Sequence, residues 1–280
     1  MINWQQRLIN PVLNKEFRLR MRTFRSVLAL LIYVLVIGLL ALAFIYMNSR
    51  GYNGGNQFNP NQSREMFYFL SVAQLVLIAF MIPGLTAGII SGEREKQTLN
   101  MLLTTQQSSS AIILSKLVAS LSFMMLVIIA TLPVYSIVFL FGGISPAQLV
   151  RVFLFYIFTM IVLGAIGILF STIFKRTMVS VVVTYGVTLF IFGGTALLFI
   201  FFMEISNNFN TSTTTLDYSW FGFIAGLNPV IALISIFEPE MSRDVFLPRG
   251  GHHNMQNFTP PIQLWQEFIL VYTDRKSVVR

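Results

Sequence analysis

Ser91-Gly92-Glu93-Arg94-Glu95-Lys96-Gln97-Thr98-Leu99-Asn100-Met101-Leu102-Leu103-Thr104-Thr105 is a polar island between two apolar runs, each long enough to cross a membrane. Glu93 to Lys96 place two acids and two bases in one helical turn. Leu99, Leu102 and Leu103 then fall at i, i+3 and i+4, which predicts an apolar ridge on a short helix. A loop at a membrane face that is charged at one end and ridged with leucine has the composition of a docking element.

The runs on either side set the class. Hydrophobic residues make up 55% of the 280-residue chain and charged residues only 11%, against about 25% charged in soluble domains. Ser26 to Met47 carry no charge and extend roughly 33 Å as a helix, enough for a bilayer core. Further apolar runs cover 66–90, about 112–141 with Lys116 near its start, 152–174 and about 178–203. The expected fold is an all-α, polytopic helical membrane protein with five clear spans. Pro83-Gly84 and Pro133 predict kinks, and Gly164 and Gly167 close helix packing. There is no cysteine, so disulfides and iron–sulfur clusters are excluded.

The net charge of +8 is carried beside the apolar runs, so anionic lipid explains it better than nucleic acid. Residues 1–25 hold Arg7, Lys15, Arg18, Arg20, Arg22 and Arg25. The loop after span two adds Arg94, Lys96 and Lys116, and the loop after span four adds Lys175 and Arg176. Loops after spans one and three hold only Arg50, Arg64 and Arg151. The positive-inside rule therefore puts the N-terminus, the island and the 175–176 loop in the cytoplasm.

Pro11 to Arg25 plots as an amphipathic helix. Leu13, Phe17, Met21 and Phe24 share one face, with Lys15, Arg18, Arg22 and Arg25 opposite and Arg20 snorkelling from near the apolar side. Such a helix lies in the inner interface. Residues 204–260 form an external segment, too polar to span, with helical pieces between Ser219 and Phe237 interrupted at Asn228-Pro229. Residues 261–280 begin like a sixth span, but Asp274-Arg275-Lys276 stops it at about half the length a span requires. A sixth helix belongs here, and the expectation is a truncated sequence or a foreign tail.

Catalytic patterns are missing from the sequence. It has no Gly-x-x-x-x-Gly-Lys-Ser/Thr phosphate loop and no His-Glu-x-x-His zinc pattern. His252-His253 is the only histidine pair; neighbouring residues diverge on a helix, so a structural or solvated role is expected and no metal site. No charge lies in the middle of a span, which argues against a proton-coupled carrier.

Two stretches then resemble a known family. Asn10-Pro11-x-x-x-Lys15-Glu16-x-x-x-Arg20-x-Arg22 resembles the start of type-2 ATP-binding-cassette (ABC) transporter permeases. Gly92 to Thr105, followed by Ile112 and Lys116, resembles the loop between their second and third spans, with Gln107 where many have proline. Asn228-Pro229 is similar to their pattern before the last span. The resemblance implies a single permease domain over 1–280 with six spans, an interfacial N-terminal helix (Lys15, Glu16, Arg18, Arg20, Arg22, Arg25) and a coupling helix from about Glu93 to Leu103. Glu93, Arg94, Glu95, Lys96, Thr98, Leu99, Leu102 and Leu103 are then its ATPase-coupling residues. The partners implied are an ABC ATPase subunit, a second permease subunit, identical or not, and membrane lipid. ATP and magnesium would sit on the ATPase and no cofactor on this chain, which is not itself an enzyme. The expected place is a bacterial plasma membrane. The expected task is export of a hydrophobic or amphipathic compound, along a path lined by spans one, two and five and driven by rocking of spans one and two. A stand-alone carrier or channel, and an antibiotic-sensing assembly of the same architecture, are the alternatives.

Overall fold

The structure, a computed structural model, describes residues 24–50, 60–97, 109–140, 144–209, 222–246 and 262–273. Among these residues there are helices and no strands. Apolar runs in lipid leave the backbone no partner except itself, so each run closes into a helix. The long ones are α1 (Phe24–Arg50), α2 (Pro60–Thr86), α4 (Ser109–Leu140) and α5 (Pro146–Ile173); α3 (Ser91–Glu95) is one turn of the island. A fifth long run starts as α6 (Thr177–Leu189), passes through a π turn at Phe190–Gly194 and continues as α7 (Thr195–Phe209). Five helical stretches are long and apolar enough to cross a membrane: Ser26–Met47, Gln62–Glu95, Ile112–Leu140, Pro146–Ile173 and Thr177–Ile205. The chain is a polytopic all-α membrane protein.

The chain divides into two compact units, Met1–Ser145 with Thr159–Tyr185, and Pro146–Phe158 with Gly186–Arg280. In the first unit α1, α2 and α4 pack on one another. Leu70, Leu75, Ile78 and Ile82 of α2 and Met124 and Val127 of α4 are all buried. Phe44 stacks on Phe69 at 5.4 Å between centroids, and Phe67 meets Tyr135 edge-on at 5.7 Å. Inside this apolar contact the buried Gln74 Nε2 donates to Thr131 Oγ1 at 3.2 Å. Such interhelical pairs in a bilayer are worth roughly 1 kcal/mol. Pro83 and Pro133 sit inside α2 and α4, which run on through both. Gly164 and Gly167 are packing glycines. A Cβ on Gly164 would lie 3.0 Å from Leu117, and one on Gly167 would collide with Thr86.

Among the described residues the second unit holds four short helices, α8 (Gly222–Gly226), α9 (Pro229–Phe237), α10 (Pro239–Phe246) and α11 (Leu264–Thr273). None is long enough to span. Ala225, Val245, Phe246 and Leu264 form a small core, with Phe199, Ile231 and Met241 against it. Phe268 of α11 packs on Phe155 and Phe158 at 5.3 and 5.7 Å. Glu267, on the same helix, is buried against Gly226, and a Cβ there would strike its carboxyl group. Asn228 caps α9, with Pro229 in the first turn where a missing N–H costs nothing. The helical pieces expected after the fifth span are present, broken at Asn228-Pro229 as the sequence predicts.

Candidate coupling site

The island hangs from the second span through a tight turn. Ala87 N–H donates to Pro83 O at 2.9 Å and Gly92 N–H to Gly88 O at 3.0 Å. A one-turn helix is unstable alone, because its first N–H groups have no partners inside it. Here they are supplied from 80 residues away. Ser171 Oγ, near the end of α5, accepts from Ile90 N–H at 2.9 Å and from Ser91 N–H at 3.0 Å. Ser180 Oγ of α6 donates to Ala87 O at 2.7 Å, fixing the turn before it.

Three of the four charges of the island then reach other helices. Glu93 is ion-paired with Lys116 Nζ, near the start of α4. The Lys116 side chain is only 5% exposed and that of Glu93 24%, so water screens this pair only partly. Arg94 Nη2 donates to Thr172 O at 3.3 Å, in the last turn of α5, where carbonyls lack intrahelical partners and the helix dipole favours a cation. Glu95 does the opposite job at the start of α6. Its Oε1 accepts from Thr177 N–H at 2.8 Å and its Oε2 from Thr177 Oγ1 at 2.7 Å. An acid at a helix N-terminus meets both the free N–H groups and the positive end of the dipole. Glu95 lies past the uncharged part of its run. The Thr177 side-chain and backbone bonds hold its carboxyl below the usual carboxylate range, with Arg176 adding to the effect.

The result is reciprocal capping. Ser171 of the fourth span caps the island's helix, and the island's Glu95 caps the fifth span. Gly88 makes room for it, since a Cβ there would lie 3.2 Å from Thr177 Cγ2. Lower on α2, Tyr185 Oη donates to Phe80 O at 2.8 Å, holding α6 against the second span.

The expected single helix from Glu93 to Leu103 is not continuous. The helix holding Glu93 starts at Ser91 and ends at Glu95, and Gln97 has φ of 58°, a left-handed conformation that stops a helix. Lys96 and Gln97 are exposed beyond that stop. Thr98, Leu99, Leu102 and Leu103 lie outside the described residues, as do Lys15, Glu16, Arg18, Arg20, Arg22 and the His252-His253 pair. Arg25 lies in the first turn of α1, but its side chain is outside the description. Sequence reasoning missed Ser171, Thr172, Thr177 and Ser180. Their signal was faint: hydroxyl residues beside the 175–176 loop, at the ends of two spans, where helices need caps.

Among the described residues no three His, Asp or Glu side chains come together to hold a metal. Comparison with curated proteins gives no match. The family model described as ABC-2 family transporter protein matches residues 10–262. That range takes in the island, all five long runs and the short helices as far as α10. With so much of its length matched, the chain belongs to the ABC-2 transporter family: it is a multi-pass membrane permease component of an ABC transporter, in a family whose ATPase lies in a separate subunit.

Proposed function

We propose that this chain is the permease subunit of an ATP-driven exporter in a bacterial plasma membrane, with its N-terminus and the island in the cytoplasm. A separate ATPase subunit docks on the island, and ATP with magnesium binds there. The observation that supports this reading is the wiring of α3. One short helix is bonded to the ends of α4, α5 and α6, and the turn that follows it is exposed. A force applied at Lys96 and the leucine ridge is passed through Glu93, Arg94 and Glu95 into spans three, four and five. It also enters span two, from which the helix hangs. Three anchors on one turn leave α3 little freedom to tilt alone. The stroke of the motor thus enters four spans together rather than spans one and two, and a rigid-body movement follows.

Spans one and five present apolar faces. In the most apolar 18-residue stretch of each, only 17% and 11% of residues are buried, against 44–50% in the other three. A second permease subunit covers part of these faces and lipid the rest. The substrate is hydrophobic or amphipathic, in keeping with aromatic side chains such as Phe190 and Phe201 exposed on the fifth span.

The test is a pull-down of the full-length chain from its native membrane, with mass spectrometry of what comes with it. An ABC ATPase is expected, with recovery reduced by Lys96→Glu combined with Leu102→Ala. Thr177→Val is expected to keep the ATPase bound while lowering transport per ATP hydrolysed. No ATPase under gentle detergent, with activity retained in liposomes, would replace this reading with a stand-alone carrier or channel.

A further inference from the structure

The fifth span is not a uniform helix. In the π turn Phe190–Gly194 the Thr195 N–H reaches back five residues to Phe190 O. Such turns are rare overall and frequent at functional sites. Two consecutive carbonyls of this one take side-chain donors. Thr195 Oγ1 donates to Ile191 O at 2.6 Å, and Asn228 Nδ2 donates to Phe192 O at 2.6 Å. The same Asn228 Nδ2 also donates to Thr195 Oγ1 at 3.0 Å. On its other side Asn228 Oδ1 accepts from Val230 N–H at 2.8 Å and Ile231 N–H at 3.3 Å, the first turn of α9.

A carboxamide has two donor hydrogens and two acceptor lone pairs. All four are used, and Asn228 is fully buried. Its orientation is fixed by chemistry, since only the oxygen can take two N–H groups and only the nitrogen can give to a carbonyl. A helix cap needs just the oxygen, and serine, threonine or aspartate would serve as well. The nitrogen side is what asparagine adds, and its bonds go to Phe192 in the π turn and to Thr195, whose N–H closes it. Gly194 adds a steric key, because a Cβ there would lie 2.6 Å from the Phe190 ring.

We propose that Asn228 is a positioning residue that locks the register of the fifth span. It joins the π turn to the start of α9, so that α7 and α9 move as one body. Losing the two donor bonds frees the π turn to slip back and forth between π and α register, breaking its backbone hydrogen bonds each time. In the α register every residue after Gly194 is advanced by about one position, roughly 100° around the axis and 1.5 Å along it. On the transport reading this is a switch between two arrangements of the segment that follows the fifth span. The lock itself does not depend on that reading.

The test is hydrogen exchange with mass spectrometry on the full chain in lipid nanodiscs. Peptides from 186–200 report the π turn, 229–237 report α9, and 112–130 serve as a control for the fold. Asn228→Asp keeps the acceptor side and removes both donor bonds; Asn228→Ala removes both sides. Exchange in 186–200 is expected to be about tenfold faster in both variants, the scale of a lost buried hydrogen bond. In 229–237 it is expected to be faster in Asn228→Ala alone. Deleting Gly193 from Asn228→Asp removes the extra residue of the π turn and is expected to bring 186–200 back to within about threefold of the parent chain. If 186–200 exchanges at the parent rate in Asn228→Asp, the side chain is only a cap and the lock is overturned. If Asn228→Asp speeds exchange in 112–130 as well, Thr195→Val decides. It removes the Asn228–Thr195 and Thr195–Ile191 bonds without adding charge while Asn228–Phe192 remains, so a smaller acceleration confined to 186–200 upholds the lock whereas none overturns it. No arm uses an ATPase, so a failed search for that partner would leave this result standing.

Discussion

The ion pair between Glu93 and Lys116 makes an unequal demand on its two members. Lys116 is 5% exposed and Glu93 24%. Removing one partner of a fully buried pair costs about 3–5 kcal/mol, because the other charge stays in a poor solvent. Glu93→Gln keeps the side-chain shape and takes away the carboxylate facing a nearly buried ammonium, so a cost of about 2–3 kcal/mol is expected after allowing for partial screening. Lys116→Met keeps the volume and leaves the charge on Glu93, which can turn toward water; about 1 kcal/mol is expected. Unfolding free energies of the two single variants and the double variant in mixed micelles complete a cycle. A coupling of about 1–3 kcal/mol is expected, with Glu93→Gln the more damaging single change. Equal costs, or a coupling below about 0.5 kcal/mol, would refute the argument that burial of Lys116 makes this contact an anchor.

Ser171→Ala leaves the N–H groups of Ile90 and Ser91 without their acceptor and should cost about 1–3 kcal/mol, read in the same micelle assay. Ser171→Thr, which keeps the hydroxyl, should cost less. Gly167→Ala should be among the most damaging single changes in the bundle, since its methyl group would strike Thr86. A loss of about 1–3 kcal/mol from overpacking is expected, whereas Gly186→Ala, with open space around it, should be nearly silent. The Thr177 bonds lower the Glu95 carboxyl in the folded chain. Their contribution is therefore complete above the unfolded carboxylate value and is lost as pH falls through the lowered one. Glu95→Gln should flatten the acid side of a melting profile taken between about pH 3 and pH 6. An unchanged profile would show that Glu95 does not carry that slope.

The spans were legible because lipid enforces one rule, and a run of apolar residues has one solution. Ser26–Met47 is the same in sequence and structure. The packing role of Gly164 and Gly167 was legible from their spacing, though not their neighbours. The island's destination was harder to read. Four alternating charges look the same whether they face water, a partner or the ends of other helices. What drew Arg94 and Glu95 to neighbouring helices is the backbone of Thr172 and Thr177 at helix ends, and backbone leaves no mark in a sequence. Gln74 leaves a fainter mark in the sequence than a charge would, because a neutral amide within a span needs only one hydroxyl opposite. The π turn was hidden in a different way. Phe190-Ile191-Phe192-Gly193-Gly194 reads as ordinary span, and the residue that explains it lies 36 positions further on.

The reciprocal caps carry a consequence for how this protein is made. Residues 90–95 emerge from the ribosome well before Ser171, Thr172 and Thr177, which lie about 80 positions later. At roughly 5–20 residues per second, the island waits several seconds with its backbone and charges unmet. Its final shape therefore forms only after the fourth and fifth spans have been inserted. A permease halted partway would display a loose, charged loop, and a complete one a loop whose short helix is capped and anchored. An ATPase that engages only the anchored form would bind finished subunits and pass over the rest, so the same contacts would serve as an inspection step in assembly.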